Sequence, residues 1–402
     1  MKILQLHNKL PYPPKDGGSI AIWNLSIELA KQGHEVTLLV MNTKKHYFPV
    51  QNIPNDVLKL LKIVSVNVDA PITVTGAIYN LLFSCLPYNA ARFIDKRFKN
   101  KLIDLLTNEV YDVVQLEGLY VAPYINTIKK YSKAKIALRA HNIEHEIWNR
   151  IRANEDSRVK REYLSILTRR LKRFEIRLIK KTDFLLPITN RDASVFRTLG
   201  ADCPMHVCSA GISLLDLEPK PEMIDYPSLF FIGALDWAPN QEGLVWFFNS
   251  LWDRVVIDFP EVKLYVAGRN CPKWLEKIMN KPNVEFLGEI DNAYSFMNSK
   301  SVMIAPIFSG SGMRVKIVEG MALGKTIITT TIGTEGIDTS HGLNILVADL
   351  ADDYYKSIKE VLINKSFCEN IGRNAIKFVR DNYDIRELAT ALINFYKLHD
   401  NN

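Results

Sequence analysis

The feature that most constrains this chain is the alternation of short β-branched runs with helix-length amphipathic segments along nearly all of its 402 residues. Strand-length apolar runs fall at Lys2 to Leu6, Glu35 to Val40, Asp112 to Leu116, Lys135 to Ala140 and Asp183 to Leu186. A second set falls at Leu229 to Ile232, Lys263 to Ala267, Ser301 to Ala305, Thr326 to Thr331 and Asn344 to Val347. Apolar runs with helices on either side are what a parallel sheet covered on both faces requires. Between the two sets, Pro219, Pro221 and Pro227 fall within nine residues, where neither a helix nor an inner strand can continue. The chain is therefore expected to be α/β, with two Rossmann-like, doubly wound parallel-sheet domains facing each other across a cleft. The expected division is 1–212 and 213–384, with the closing segment 385–402 packing back on the first domain through apolar Leu388, Leu392, Phe395 and Tyr396. Ligands are expected at the carboxyl ends of the strands.

Charge agrees with this division. The net charge is +7, but residues 1–200 carry 32 basic and 18 acidic side chains (+14) while residues 201–402 carry 19 and 26 (−7). Much of the surplus lies in Asn149 to Lys181, which holds 12 basic residues against four acidic ones. There Tyr163, Leu167, Leu171, Phe174 and Leu178 recur at helical spacing, so one face is core and another is basic. That basic face is either simply solvated or docks to an anionic membrane surface; no nucleic-acid recognition motif accompanies it, and nucleic acid is not an expected partner. Five scattered cysteines without a C-x-x-C pair read as reduced, buried thiols of a cytoplasmic protein. The N-terminus has too short an apolar run for a signal peptide. The most apolar stretch, Ile72 to Tyr88, is broken by polar residues and Pro87, too soon to span a bilayer. The expected location is cytoplasmic, or peripheral on the inner face of the cytoplasmic membrane.

The segment with most chemistry runs from Ala305 to Lys325. A strand ends at Pro306, Gly310-Ser311-Gly312 forms a loop, and a helix is expected from near Met313 to Gly324. Glycines before a helix let backbone N–H groups and the positive helix end approach an anion. Arg314 and Lys316 add positive charge at that end, and Glu319 can offer a carboxylate to a pair of vicinal hydroxyls. The bland alternative is a basic turn with a Lys316 to Glu319 intrahelical pair.

This block closely resembles the donor-sugar site of retaining family-4 glycosyltransferases of the GT-B fold, of the kind that build bacterial surface polysaccharides. The match extends to Pro13 to Gly18, Gly33 to Val36, Arg139 to Glu144, Gly233 to Asn240, Val266 to Gly268 and Gly333 to Gly336, in the family's order. The resemblance implies an enzyme moving a sugar from a nucleotide-sugar donor, held by the second domain, to a saccharide or lipid-linked acceptor held by the first. It implies that Glu319 is the second glutamate of the family's pair, on the donor ribose; the first glutamate is replaced by Ser311. The arginine and lysine of many members are missing from Gly233 to Asn240, so Arg314 and Lys316 are inferred to clamp the diphosphate, with Gly233, Asn240, Gly310, Ser311 and Gly312 lining the donor site. His141 is expected at the reacting sugar or acceptor, with Gly17, Gly18 and Glu117 on the acceptor side. With no Asp-x-Asp triplet in the sequence, neither a metal nor another cofactor is expected. A nucleotide-sugar epimerase or hydrolase of the same fold, or a basic nucleic-acid-binding protein, are the alternatives.

Overall fold

The computed structural model of the chain describes residues 1–14, 16–215, 217–310 and 312–399. It divides into two compact units, Met1–Gly211 with Ile385–Asn402, and Ile212–Asp384. Each unit is built around one six-stranded sheet.

In the first unit the strands are β1 (Lys2–His7), β2 (Glu35–Thr43), β3 (Lys62–Val68), β4 (Val113–Glu117), β5 (Lys135–Ala140) and β6 (Phe184–Pro187), in the order β3-β2-β1-β4-β5-β6. All neighbours run parallel. In the second unit β7 (Asp225–Ile232), β8 (Lys263–Ala267), β9 (Val284–Gly288), β10 (Lys300–Ala305), β11 (Thr326–Thr329) and β12 (Leu346–Val347) follow the order β12-β11-β10-β7-β8-β9, again parallel. Read from its own first strand, each sheet has the doubly wound order 3-2-1-4-5-6. The fold is thus the two-domain Rossmann-like architecture that the alternation implied. The order reverses between β1 and β4 and between β7 and β10. Loops leaving the carboxyl ends of those four strands therefore have open space in front of them, because their crossover helices go to opposite faces.

The central strands are apolar because helices cover both faces: Leu4, Leu6, Val114 and Leu116 are buried in the first sheet, Leu229, Phe231, Val302 and Ile304 in the second. The two strands not expected from sequence, β3 and β9, lie at sheet edges and are only partly buried. The basic segment is two helices, Glu144–Ala153 and Arg158–Ile179, rather than one continuous one. The closing helix Ile385–Leu398 lies in the first unit, where Ala389, Leu392 and Tyr396 are fully buried and the Tyr396 hydroxyl donates to Gln115 Oε1 at 2.8 Å. Cys208 and Cys368 are buried, but Cys85 is exposed, contrary to the expectation that all five thiols are internal; it follows a helix whose outer face is open.

Candidate functional site

In the second unit the loops after β7 and β10 form one built structure. Gly310 and Gly312 both take left-handed φ values, 98° and 81°, which only glycine holds without strain. Gly243, in the helix Ala238–Phe247, lies so close to the end of β10 that a Cβ there would sit 1.6 Å from the Pro306 carbonyl oxygen. The Ser309 hydroxyl donates to Glu242 Oε2 at 2.6 Å, and the Asn240 amide donates to the Ala234 carbonyl at 2.9 Å. A Cβ on Gly233 would crowd that amide at 2.7 Å. Gly233 and Asn240 therefore shape the loop after β7, and nearly all of the Asn240 side chain is buried in doing so.

The two cations have different tasks. Arg314 is 7% exposed; its Nη1 donates to the Gly312 carbonyl at 2.5 Å, its Nη2 lies 3.4 Å from the Ser309 carbonyl, and the guanidinium lies over the Trp237 ring. It braces the glycine loop from beneath. Lys316, in the first turn of the helix Val315–Ala322, is 39% exposed along its side chain and pairs with Glu319 Oε2 at 2.7 Å. Glu319 is buried and also accepts a hydrogen bond from the Tyr294 hydroxyl at 3.0 Å. The intrahelical pair is thus real, and it orients Glu319 together with Tyr294. Ser311 lies outside the described residues. Tyr294, Glu242 and Gly243 were not found from sequence: they come from other elements, and only the fold brings them to the loop.

In the first unit the carboxyl ends of β1, β4 and β5 gather a buried ionisable cluster. Glu117 Oε2 lies 2.7 Å from His141 Nε2 and 3.5 Å from Arg139 Nη1, while Oε1 accepts from the Gln115 amide. Burial pushes the Glu117 carboxyl upward, but Arg139 and His141 outweigh it and bring it down to about 2. With its side chain 1% exposed, Glu117 sits beneath His141 and reaches a ligand only through that imidazole, which is 18% exposed. His7, the β-register neighbour of Glu117, is fully buried, and burial pushes it down to about 4, so it is neutral at physiological pH. Nothing in the sequence pattern singled out His7, because an apolar run ending in a polar residue is an ordinary strand end.

Gly17 and Gly18 open the helix Gly17–Lys31, whose first turn is capped by Asp16 accepting from the Ser19 N–H at 2.9 Å. A Cβ on Gly18 would meet its nearest atom at 3.4 Å, an ordinary contact, so the fold itself does not demand glycine there. Among the described residues, no group of three or more His, Cys, Asp or Glu side chains is arranged to hold a metal ion, and no helix is long and apolar enough to cross a membrane.

Each of the two parallel doubly wound units thus carries a polar arrangement at the carboxyl ends of its strands, a His-carboxylate pair in the first and a braced glycine loop in the second. Residues 15–214 match the model of Glycosyltransferase Family 4, and residues 226–364 match that of Glycosyl transferases group 1. The chain is a family-4-like GT-B glycosyltransferase. It is 25% identical over 408 aligned positions to an uncharacterized 44.6 kDa protein in the cps region of Klebsiella pneumoniae, covering 97% of this chain and 98% of that one. An uncharacterized glycosyltransferase of Methanocaldococcus jannaschii is 32% identical over 161 residues, which is 38% of this chain and 43% of that one. Among solved structures, sucrose-phosphate synthase from Thermosynechococcus elongatus superimposes with a TM-score of 0.71 at 14% identity, covering 99% of both chains. Anabaena HepE in complex with UDP and glucose gives 0.67 at 13% identity, covering 98% of both. These likenesses carry the fold.

Proposed function

We propose that this glycosyltransferase takes a nucleoside-diphosphate sugar as donor, retains the configuration at the anomeric carbon, and works in the assembly of a surface polysaccharide on a saccharide or lipid-linked acceptor. The observation that carries the donor reading is Glu319: a buried carboxylate one turn into a helix behind a glycine loop, aimed by Lys316 and Tyr294. A carboxylate so held suits the two adjacent hydroxyls of a ribose, while the loop N–H groups and Lys316 suit the diphosphate. HepE, a neighbour in fold, is solved with UDP and with UDP-glucose, and the Klebsiella relative is described by its cps region; both are consistent with this reading.

Negative charge grows on the diphosphate as the glycosidic bond breaks, and preformed N–H groups and a cation stabilise it most at that point. Lys316 supplies the cation; Arg314 acts through the loop, by holding the carbonyls of Ser309 and Gly312 turned inward. In the first unit His141, backed by Glu117, offers the imidazole to the reacting sugar or the acceptor, and the bare helix start at Gly17 and Gly18 leaves room for substrate. No metal is required in this scheme. The exposed cations of the helix Arg158–Ile179 face the anionic inner leaflet of the cytoplasmic membrane.

The deciding experiment is a calorimetric titration of UDP in the presence of EDTA. Wild type should bind, and Glu319→Ala, still folded, should lose about 1.5–3 kcal/mol of affinity. Equal affinity in the two proteins removes Glu319 from the donor site, and binding that needs added magnesium or manganese contradicts the metal-free scheme.

A further inference from the structure

The helix Val74–Phe83 is turned inside out. Its one buried side chain is the polar Asn80, whereas Val74, Ile78, Tyr79, Leu82 and Phe83 are between 53% and 77% exposed, and Ile72 just before it is 78% exposed. The segment is nevertheless firmly held. At its start the Tyr88 hydroxyl accepts from the Thr73 N–H at 3.1 Å and lies 3.3 Å from the Pro71 carbonyl. At its end the Arg170 guanidinium, from the basic helix Arg158–Ile179, donates to the carbonyls of Asn80, Leu81 and Ser84 at 3.1, 2.8 and 2.8 Å. A contiguous apolar face fixed in this way, with its polar residue pointing inward, is an interaction surface rather than a poorly packed loop.

Where Ile72 ends that surface, the lining turns cationic. A cavity of about 760 Å³, within the first unit, borders Ile72 and Phe93 and is lined by Lys9, Lys44, Lys45 and Arg92, with Asp69 the one carboxylate in its wall. Lys9 is paired with Asp16 at 2.7 Å, whereas Lys44, Lys45 and Arg92 make no ion pair among the described residues. Arg92 is fixed at the seam by donating to the Ala70 carbonyl at 2.6 Å and by lying over the Phe93 ring at 4.2 Å. Burial, and then the charges of Lys9, Lys45 and Arg92, hold the His46 imidazole in the same wall below its usual range.

We propose that this cavity binds the phosphate headgroup of a lipid whose hydrocarbon lies against the exposed face of Val74–Phe83, so that the acceptor is a phosphate-bearing lipid taken from a membrane surface. This rests on the lipid-linked reading of the acceptor given above. Neutral sugar hydroxyls have no use for three cations without an ion-pair partner beside a single carboxylate, whereas a phosphate does. An apolar surface directly adjoining those cations selects, among phosphates, one that carries a hydrocarbon tail. Stable attachment at a membrane needs two such signals, and this corner of the unit holds both.

The test is co-sedimentation of the full chain with phosphatidylcholine vesicles, alone or containing phosphatidate, with UDP calorimetry on the same proteins. Wild type should bind phosphatidate vesicles far better than neutral ones. Lys44→Glu with Lys45→Glu should weaken that binding about tenfold or more, from about 1 kcal/mol per charge at the surface. Leu82→Ser with Phe83→Ser should weaken it as well, and both double variants should keep the UDP affinity of wild type. Equal binding to neutral vesicles, unchanged by the lysine substitutions, overturns the headgroup site. Stabilisation by inorganic phosphate with no vesicle binding overturns the lipid. A wild type that binds phosphatidate vesicles through these residues but not UDP supports the lipid site and removes only the donor assignment.

Discussion

Glu117 and Glu319 are both buried carboxylates at strand or helix positions that sequence reasoning marked, and the fold separates their tasks. Glu319 is held by a lysine and a tyrosine at the glycine loop; Glu117 is covered by His141 and tied to Arg139, so it positions an imidazole. Glu117→Gln should lower kcat about tenfold to a hundredfold, the equivalent of one charge-assisted bond, with donor affinity unchanged. Glu117→Asp, which keeps the charge, should recover part of the loss. Steady-state kinetics beside UDP calorimetry distinguishes this from simple damage, in which both quantities fall together. Three residues beyond His141, burial pushes the Glu144 carboxyl up to about 7, against the hydrogen bond from Tyr120, with Glu175 adding to the rise. The native state then binds more protons than the unfolded chain between the ordinary carboxyl range and pH 7, so this residue's contribution to stability declines as pH rises through that window. Glu144→Gln should abolish that decline, on the order of 2 kcal/mol, in denaturant melts at pH 5 and pH 8. An unchanged difference between the two pH values would show that Glu144 ionises freely. Residue types at the glycine loop were legible because they lie within one stretch of chain. Tyr294 and Glu242 were not, since they stand 25 residues from Glu319 and 67 from Ser309, and spacing in sequence reports only neighbours on one element.

At the scale of elements, all the inner strands and the edge strands β6 and β12 were legible, whereas the edge strands β3 and β9 were not, for a physical reason. A strand buried on both faces must be apolar throughout, as in Leu229–Ile232, whereas β3 reads Lys-Ile-Val-Ser-Val-Asn-Val and is largely half-exposed, which resembles a loop followed by a turn. The helix Val74–Phe83 departs from that rule in the opposite sense: its apolar residues point outward, so hydrophobicity does not report burial there. Its position depends on Arg170, a residue that composition alone counted as part of a solvated or membrane-facing basic surface. Three carbonyls at the C-terminal end of the apolar helix, where the helix dipole is negative, accept from that one guanidinium. Arg170→Ala should therefore raise amide hydrogen exchange across residues 74–84 while exchange in the central strands stays as in wild type. Uniform change throughout the first unit would mean that Arg170 supports the core and not this helix.

At the scale of the whole molecule, the chain visits its first unit twice: residues 1–211 build the sheet, residues 212–384 form the second unit, and the closing helix returns. The sequence leads to the expectation that this helix packs back on the first domain, and the contacts that hold it there join residues more than two hundred positions apart, such as Phe184 with Phe395 and Tyr396 with Gln115. The helix buries Ile385, Leu392, Ile393 and Tyr396 almost completely. At about 1.5–3 kcal/mol for each large side chain, its removal costs about as much as the entire stability of an ordinary domain, about 5–15 kcal/mol. A further cost falls on Gln115, whose carbonyl oxygen loses the Tyr396 hydroxyl inside the core and leaves the Glu117 network without that brace. The second unit, by contrast, draws its main core cluster from within its own stretch of chain, Leu229 to Ile371, with Ala375, Val379 and Tyr383 also buried. Residues 212–384 expressed by themselves should fold with a cooperative thermal transition and be stabilised by UDP, whereas residues 1–211 without the closing helix should show none. Adding residues 385–399 to the first fragment through a flexible linker should restore its transition. A folded, cooperative 1–211 fragment would show that the closing helix only decorates the first unit, and that its buried side chains contribute far less than their area implies.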